Sequence, residues 1–250
     1  MKLAMLLALA VLMPATAMAG PVEDLLSGAR KECRGCDLHD ARFKKADLSG
    51  VDFTGANLDG ATFHRAILKG AIFDGVQAEG TNFNLTDLTG ASLLKAKLKG
   101  SLFYGAQLSG AKFDGADLSS TRLQHAVMTS TSLKGADLDM AVAKEARINN
   151  ANLTGASMDR TNLEGASLGR SIFDGTKMSN VRFNGDKAGN SSFKNATIAL
   201  TDFYGADLRG ADFDGANISD SRFTNAYTAD ATFVGTVRAR NFMEDGHYQE

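Results

Sequence analysis

Proline is almost missing from these 250 residues, standing only at Pro14 and Pro21. A chain without proline beyond residue 21 keeps nearly every backbone N–H free to donate, as a sheet ladder requires. Tryptophan is absent, and cysteine occurs twice, at Cys33 and Cys36. The four histidines, His39, His64, His125 and His247, are scattered. None stands with a Ser or Cys and an acid in a triad-like relation, so nucleophilic catalysis has no evident machinery. There is no phosphate loop, no nucleotide fingerprint and no metal quartet. Charge of one sign is missing too. A formal net charge of −2 is too mild to steer nucleic acid or an anionic membrane.

Long apolar runs are equally scarce. One exists, Leu3–Met13, preceded by Lys2 and followed by Ala17-Met18-Ala19. A basic start, a short apolar stretch and a small-x-small site read as a secretory leader, too short to span a membrane as a mature helix. Residues 1–19 are therefore expected to be removed after Ala19, leaving a periplasmic or secreted chain that starts at Gly20 and has no membrane contact.

What is present in abundance is a five-residue unit. Ala56-Asn57-Leu58-Asp59-Gly60, Ala111-Lys112-Phe113-Asp114-Gly115 and Ala206-Asp207-Leu208-Arg209-Gly210 are three of about 40 copies between Cys36 and Gly235, in one register without insertion. Large apolar residues fall at numbers ending in 3 or 8, small ones at 1 or 6. A step of five advances about 500° on a helix and makes no stripe. On an extended chain, the small and large residues two apart share one face. The last two residues then turn the chain, and most of the 26 glycines stand where positive φ is needed, with Asn the next best choice. Each unit is a very short strand and a corner, so the chain coils as a β-solenoid.

The number of corners per coil follows from the phenylalanines. Of 15, all but Phe242 stand at numbers ending in 3. With three sides per coil, Phe and Leu alternate in each stack. With four, Phe43, Phe63, Phe83 and Phe103 stack on one wall and Phe173, Phe193, Phe213 and Phe233 on the opposite one. Constant volume from lap to lap favours the square section, with about ten coils over residues 36–235.

The Ala-(Asp/Asn)-Leu-x-x pattern resembles the pentapeptide repeat family over about four fifths of the chain. That resemblance implies an all-β, right-handed quadrilateral β-helix with Leu or Phe as the central inward residue and Ala as the second. With no catalytic, cofactor or metal motif in the chain, the expectation is a non-catalytic protein that acts by binding another protein.

The ends differ from the repeats. Residues 20–35 form an N-terminal cap. Pro21 to Lys31 reads as a short helix, acidic at its start and basic at its end, with Leu25 and Leu26 covering the core. Cys33 and Cys36 fall on inward positions that flank one corner, close enough for a disulfide. Buried thiols, a Cys-x-x-Cys redox centre and a metal site drawing on His39 are the other readings. Residues 236–250 lose the pattern, since Arg238 stands where a core residue belongs. Phe242 and Met243 are expected to fold over the last coil and 244–250 to fray.

Within the rod, Thr121 to Met158 lacks Phe and carries Ala143 at a large-residue position, so a weaker or bent middle is expected, with a partner-binding notch as the functional alternative. Asp186 occupies a small inward position and is expected to turn out into solvent, because an unpaired buried carboxylate is costly. Tyr104 and Tyr204 share one outward register five coils apart and are the candidate partner-binding residues. The leading expectation is an exported scaffold with an unidentified protein partner, a monomer or a weak end-to-end dimer. Its alternatives are a DNA-mimicking modulator of a topoisomerase such as DNA gyrase, which the mixed-sign outward columns disfavour, and a redox factor using Cys33 and Cys36.

Overall fold

The computed structural model describes residues 20–249. The leader assigned to residues 1–19 lies outside them. The organising feature is a parallel pairing between the second residue of a unit and its counterpart twenty positions later. One lap shows all four sides: Asp37 pairs with Asn57, Arg42 with Thr62, Asp47 with Ile67 and Asp52 with Ile72. The same spacing continues to Arg222 and Phe242, so the cross-section is four-sided. One wall forms regular strands. β1 (Ser157–Asp159), β2 (Lys177–Ser179), β3 (Thr197–Ala199), β4 (Asn217–Ser219) and β5 (Val237–Ala239) stack in order as a parallel sheet. The repeat length predicts about ten coils. Regular strand pairing covers four of the steps, and elsewhere single bridges join the laps.

Most corners are turns closed by a bond from the small residue back to the large one, as from Ala106 N–H to the Phe103 carbonyl at 3.0 Å. The third residue takes positive φ, 63° at Gly105. Many corners do this without glycine: Leu85, Lys45 and Met140 hold φ of 57°, 60° and 59°. Such a backbone costs an L-residue roughly 1–2 kcal/mol. The corner is imposed by bonds on either side, such as Leu85 N–H to the Tyr104 carbonyl at 2.9 Å.

Inside, the Phe rings form two facing columns. Phe63 stacks on Phe43 and Phe83 at centroid distances of 5.0 and 5.1 Å, and meets Phe53 and Phe73 edge-on at 5.9 Å. A second set runs from Phe173 to Phe233. Parallel-offset stacking along a column and edge contacts across it are the arrangements that the ring quadrupole favours. Between the two sets, Leu123, Leu133, Met128, Ile148 and Ala143 remain buried. The bridges pass through this middle without interruption, including Arg122 to Val142 and Val142 to Asn162.

The caps depart from expectation in detail. The helix α1 spans Pro21–Leu26 and stops there, because Gly28 takes φ of 74° and its N–H turns back to the Leu25 carbonyl at 3.1 Å. Leu25 is buried, whereas Leu26 is half-exposed and covers nothing. At the other end the register outlasts the pattern: Arg238 pairs with Ile218, and its guanidinium lies 4.8 Å over the Phe233 ring. Phe242 does not fold inward. It is 48% exposed and packs on Tyr248, while its neighbour Asn241 takes the buried place. Rather than fraying, the segment returns as a hairpin of β6 (Asn241–Phe242) and β7 (Tyr248–Gln249).

Candidate interaction surface

The outward residues are set by the same turns. The second residue of a unit is often Asp or Asn because its side chain accepts the N–H two positions on, as Asp52 does from Thr54 at 2.9 Å and Asn82 from Asn84 at 3.0 Å. That is an Asx turn, which pins the corner locally. The fourth residue binds the next lap instead. Asn84 Oδ1 accepts the Tyr104 N–H at 2.8 Å, and Asp59 the Glu79 N–H at 2.8 Å. Exposed ion pairs run in both directions along the rod, for example Lys144 with Glu164 and Arg240 with Asp220. Asp117, Asp137 and Asp139 form a small acidic cluster, in which burial first and then the Asp139 and Asp117 charges raise the Asp137 pKa, while the outward columns as a whole mix both signs.

Tyr104 and Tyr204 are 49% and 43% exposed. They stand on one side of the rod, about 24 Å apart at roughly 4.8 Å per lap, and form two separate sites. Tyr204 is held: Arg222 lies 4.8 Å over its ring while gripping Asp202 through two bonds, and Asn225 donates to its hydroxyl at 3.1 Å. Tyr104 is freer, touching the His125 ring edge-on at 5.3 Å. Leu85, one lap earlier at the same corner, is 42% exposed and reaches toward Gly105. Leu85, Tyr104 and His125 thus make a small apolar and aromatic patch. Leu85 was readable as a leucine at a corner number, where a small or polar residue is the rule. Tyr227, Val234 and Val237 add exposed apolar surface toward the C-terminal end.

Cys33 and Cys36 are joined, with Cα atoms 5.3 Å apart; Cys33 is fully buried and Cys36 partly so. His39 faces solvent and pairs with Asp37 at 2.9 Å, a contact that raises its pKa. Among the described residues no group of three His, Cys, Asp or Glu side chains is placed to hold a metal ion.

Asp186 corrects the expectation placed on it. It stays inside, 1% exposed, because the ladder is intact on both sides of it: Lys187 N–H reaches the Ala166 carbonyl and Asp207 N–H the Asp186 carbonyl. Its Oδ1 accepts the Ala166 N–H at 2.8 Å.

A four-sided coil of parallel bridges, filled by stacked large side chains and faced with polar ones, defines a solenoid repeat protein. The pentapeptide repeats profile matches eight copies across residues 36–75, 73–105, 101–139, 146–185 and 190–227. The chain belongs to the pentapeptide repeat family. No curated protein matches it. Among solved structures it is similar to HetL, a pentapeptide repeat protein involved in heterocyst differentiation regulation from the cyanobacterium Nostoc sp. strain PCC 7120. The identity is 21% over 92% of this chain and 99% of that one, with a TM-score of 0.44. It is also similar to Rfr23 from the cyanobacterium Cyanothece 51142, at 24% identity over 52% of this chain and 90% of that one, TM-score 0.38. A third is QnrB1, a plasmid-mediated fluoroquinolone resistance protein, at 18% identity over 83% and 91%, TM-score 0.34.

Proposed function

We propose that this pentapeptide repeat protein is a non-catalytic scaffold that binds another protein through one side of its rod, after export of the chain. The observation that carries the reading is the Leu85–Tyr104–His125 patch: exposed apolar and aromatic side chains on a corner that the ladder holds rigid. An aromatic anchor on a rigid support binds with little loss of side-chain freedom. Export follows from the leader at residues 1–19. The fluoroquinolone resistance of QnrB1 is a property of that protein, and the outward columns here mix charges of both signs.

The test is a photo-crosslinking residue placed at Tyr104 in the native host, with a second at Lys112 on another wall as the control. One discrete adduct from the Tyr104 position, lost with Leu85→Asp, supports the reading. Equal labelling from both positions overturns it. N-terminal sequencing of the mature protein tests export: the expected first residue is Gly20.

A further inference from the structure

Thr121 and Thr176 turn to the carbonyl three residues back and Thr201 and Ser221 to the one two back, but most serines and threonines at the small inward positions share another pattern. The hydroxyl donates to a carbonyl 23 residues earlier: Thr81 to Leu58 at 2.7 Å, Ser101 to Ala78 at 2.5 Å, Thr161 to Leu138 at 2.8 Å, Ser191 to Leu168 at 2.8 Å. In several cases the same oxygen accepts the N–H twenty residues earlier, as Ser101 does from Thr81 at 3.1 Å. Asn241 follows the pattern with an amide. Its Oδ1 accepts the Ser221 N–H at 2.9 Å, and its Nδ2 donates to the Ile218 carbonyl at 3.1 Å. A polar side chain at this position can therefore use one acceptor and one donor.

Asp186 stands at this position in a column otherwise lined nearby by Ala166 and Ala206. Oδ1 makes the accepting contact to Ala166 N–H, twenty residues earlier, at 2.8 Å. Oδ2 is buried without a partner. The carbonyl 23 residues earlier belongs to Leu163. A carboxylate has nothing to donate to it, whereas a neutral carboxyl has an O–H that can do so. We infer that Asp186 is a built proton site, neutral in the folded protein at neutral pH, with Oδ2–H donating to the Leu163 carbonyl as Asn241 donates to Ile218.

The surroundings agree. Burial pushes the Asp186 carboxyl up to about 9, against the pull of the Ala166 and Gly165 N–H groups, and Glu164 on the preceding lap pushes the same way. No cation offsets this. Lys187 on its own lap is exposed, Glu164 is paired with Lys144, and Asp207 on the next lap is gripped by Arg209. An open depression of about 590 Å³, lined by Asp186, Lys187, Asp207, Arg209 and Tyr227, lies at the surface over this lap.

The consequence is stability that falls as pH rises. The unfolded chain releases this proton near pH 4 and the folded one only near 9, so between them folding takes up a proton. From about pH 5 to pH 8 this one group lowers the folded-to-unfolded ratio close to tenfold per pH unit. The experiment compares the protein with Asp186→Asn by denaturant unfolding across that range. The expected result is that the variant is the more stable, by a margin that widens with pH and closes toward pH 4. A margin independent of pH, or a variant less stable at pH 8, overturns the inference. Infrared difference spectra of the two folded proteins at pH 7 give a second readout that needs no unfolding. Loss of a neutral carboxyl C=O band in Asp186→Asn is expected, and loss of a carboxylate band instead contradicts it.

Discussion

The Asp74 carboxylate accepts the Ser92 hydroxyl at 2.6 Å from the lap above, and the same oxygen takes the Leu94 N–H at 3.0 Å. Asp139 does the same for Ser157 and Asp159, at 2.7 and 2.8 Å, and Asp174 binds Ser192 and Lys194 in the same way. These aspartates at the fourth place of a unit rivet one lap to the next on the outside, where the stacked rings do so on the inside. Asp74→Ala should lower unfolding free energy by about 1–2 kcal/mol, since two hydrogen bonds to a charged acceptor are lost at a part-buried site. Asp74→Asn retains an acceptor and should lose less than half of that. Urea titration of the two variants checks the order.

Corners should be limited by backbone geometry rather than space. A Cβ added at Gly75 meets nothing within 4 Å, yet φ there is 63°. Gly75→Ala is expected to cost roughly 1–2 kcal/mol from the left-handed backbone alone. Gly189 lacks positive φ, and its Cβ would sit in ordinary contact with the Arg209 carbonyl at 3.5 Å. Gly189→Ala should change stability by less than about 0.5 kcal/mol. Equal costs at the two sites, measured by chemical denaturation, would contradict this.

Core substitutions should depend on lap. Phe83 is fully buried between Phe63 and Phe103 at 5.1 and 4.9 Å, so Phe83→Ala should cost about 3–5 kcal/mol. Ala143 stands in that same wall between Leu123 and Leu163. Ala143→Leu should stabilise the protein by restoring burial worth about 1.5–3 kcal/mol before packing losses. A lower midpoint for Ala143→Leu would show that the middle laps have closed around the smaller residue.

The Cys33–Cys36 link should be present in the isolated protein and withstand thiol reagents until it is reduced. It closes a short loop at the N-terminal cap, so reduction should cost about 2 kcal/mol on the loop-entropy account. Free-thiol titration of the native protein checks the first statement, and unfolding with and without reductant the second. Two reactive thiols in the folded state would reopen the redox reading.

Acid should act with the opposite sign from the Asp186 effect. A side-chain bond from Arg209 holds Asp207 below its usual pKa, and one from Arg240 does so for Asp220. A depressed folded pKa gives stability that is present above the unfolded value near 4 and lost as pH falls through the folded one. Asp186→Asn should therefore leave the acid limb of the stability profile in place while flattening the alkaline side. Loss of both limbs together would contradict the assignment.

The five-residue period, the inward numbers and the four walls could be read from the sequence because packing inside a narrow shaft repeats the same demand every lap. Phe at numbers ending in 3 is a direct image of that demand. The outer surface was less legible. The Asx turns and inter-lap clamps use residue types that also occur on any solvated face, so their roles emerge only when positions 2, 18 and 20 residues apart are brought together. Leu85 and Lys45 at positive φ were not foreseen for a related reason: the ladder overrides a local preference worth little per residue. Asp186 was misread because a buried acid was judged as a charge, when its position can use a donor. The caps, where the repeat stops, have no period to read, and there Leu26 and Phe242 went the other way.

A lap of twenty residues sets every wall of the rod, and paired cysteines measure it directly. In a Cys33→Ala, Cys36→Ser background, Gln77→Cys with Lys97→Cys places two thiols on bridge partners, whose strands lie about 4.8 Å apart, within disulfide reach. Gln77→Cys with Ser92→Cys puts them fifteen residues apart, on different walls. Rapid oxidation of the 77/97 pair with none of the 77/92 pair is the predicted result. Oxidation of the 77/92 pair with none of the 77/97 pair would mean a three-sided coil and would contradict the account.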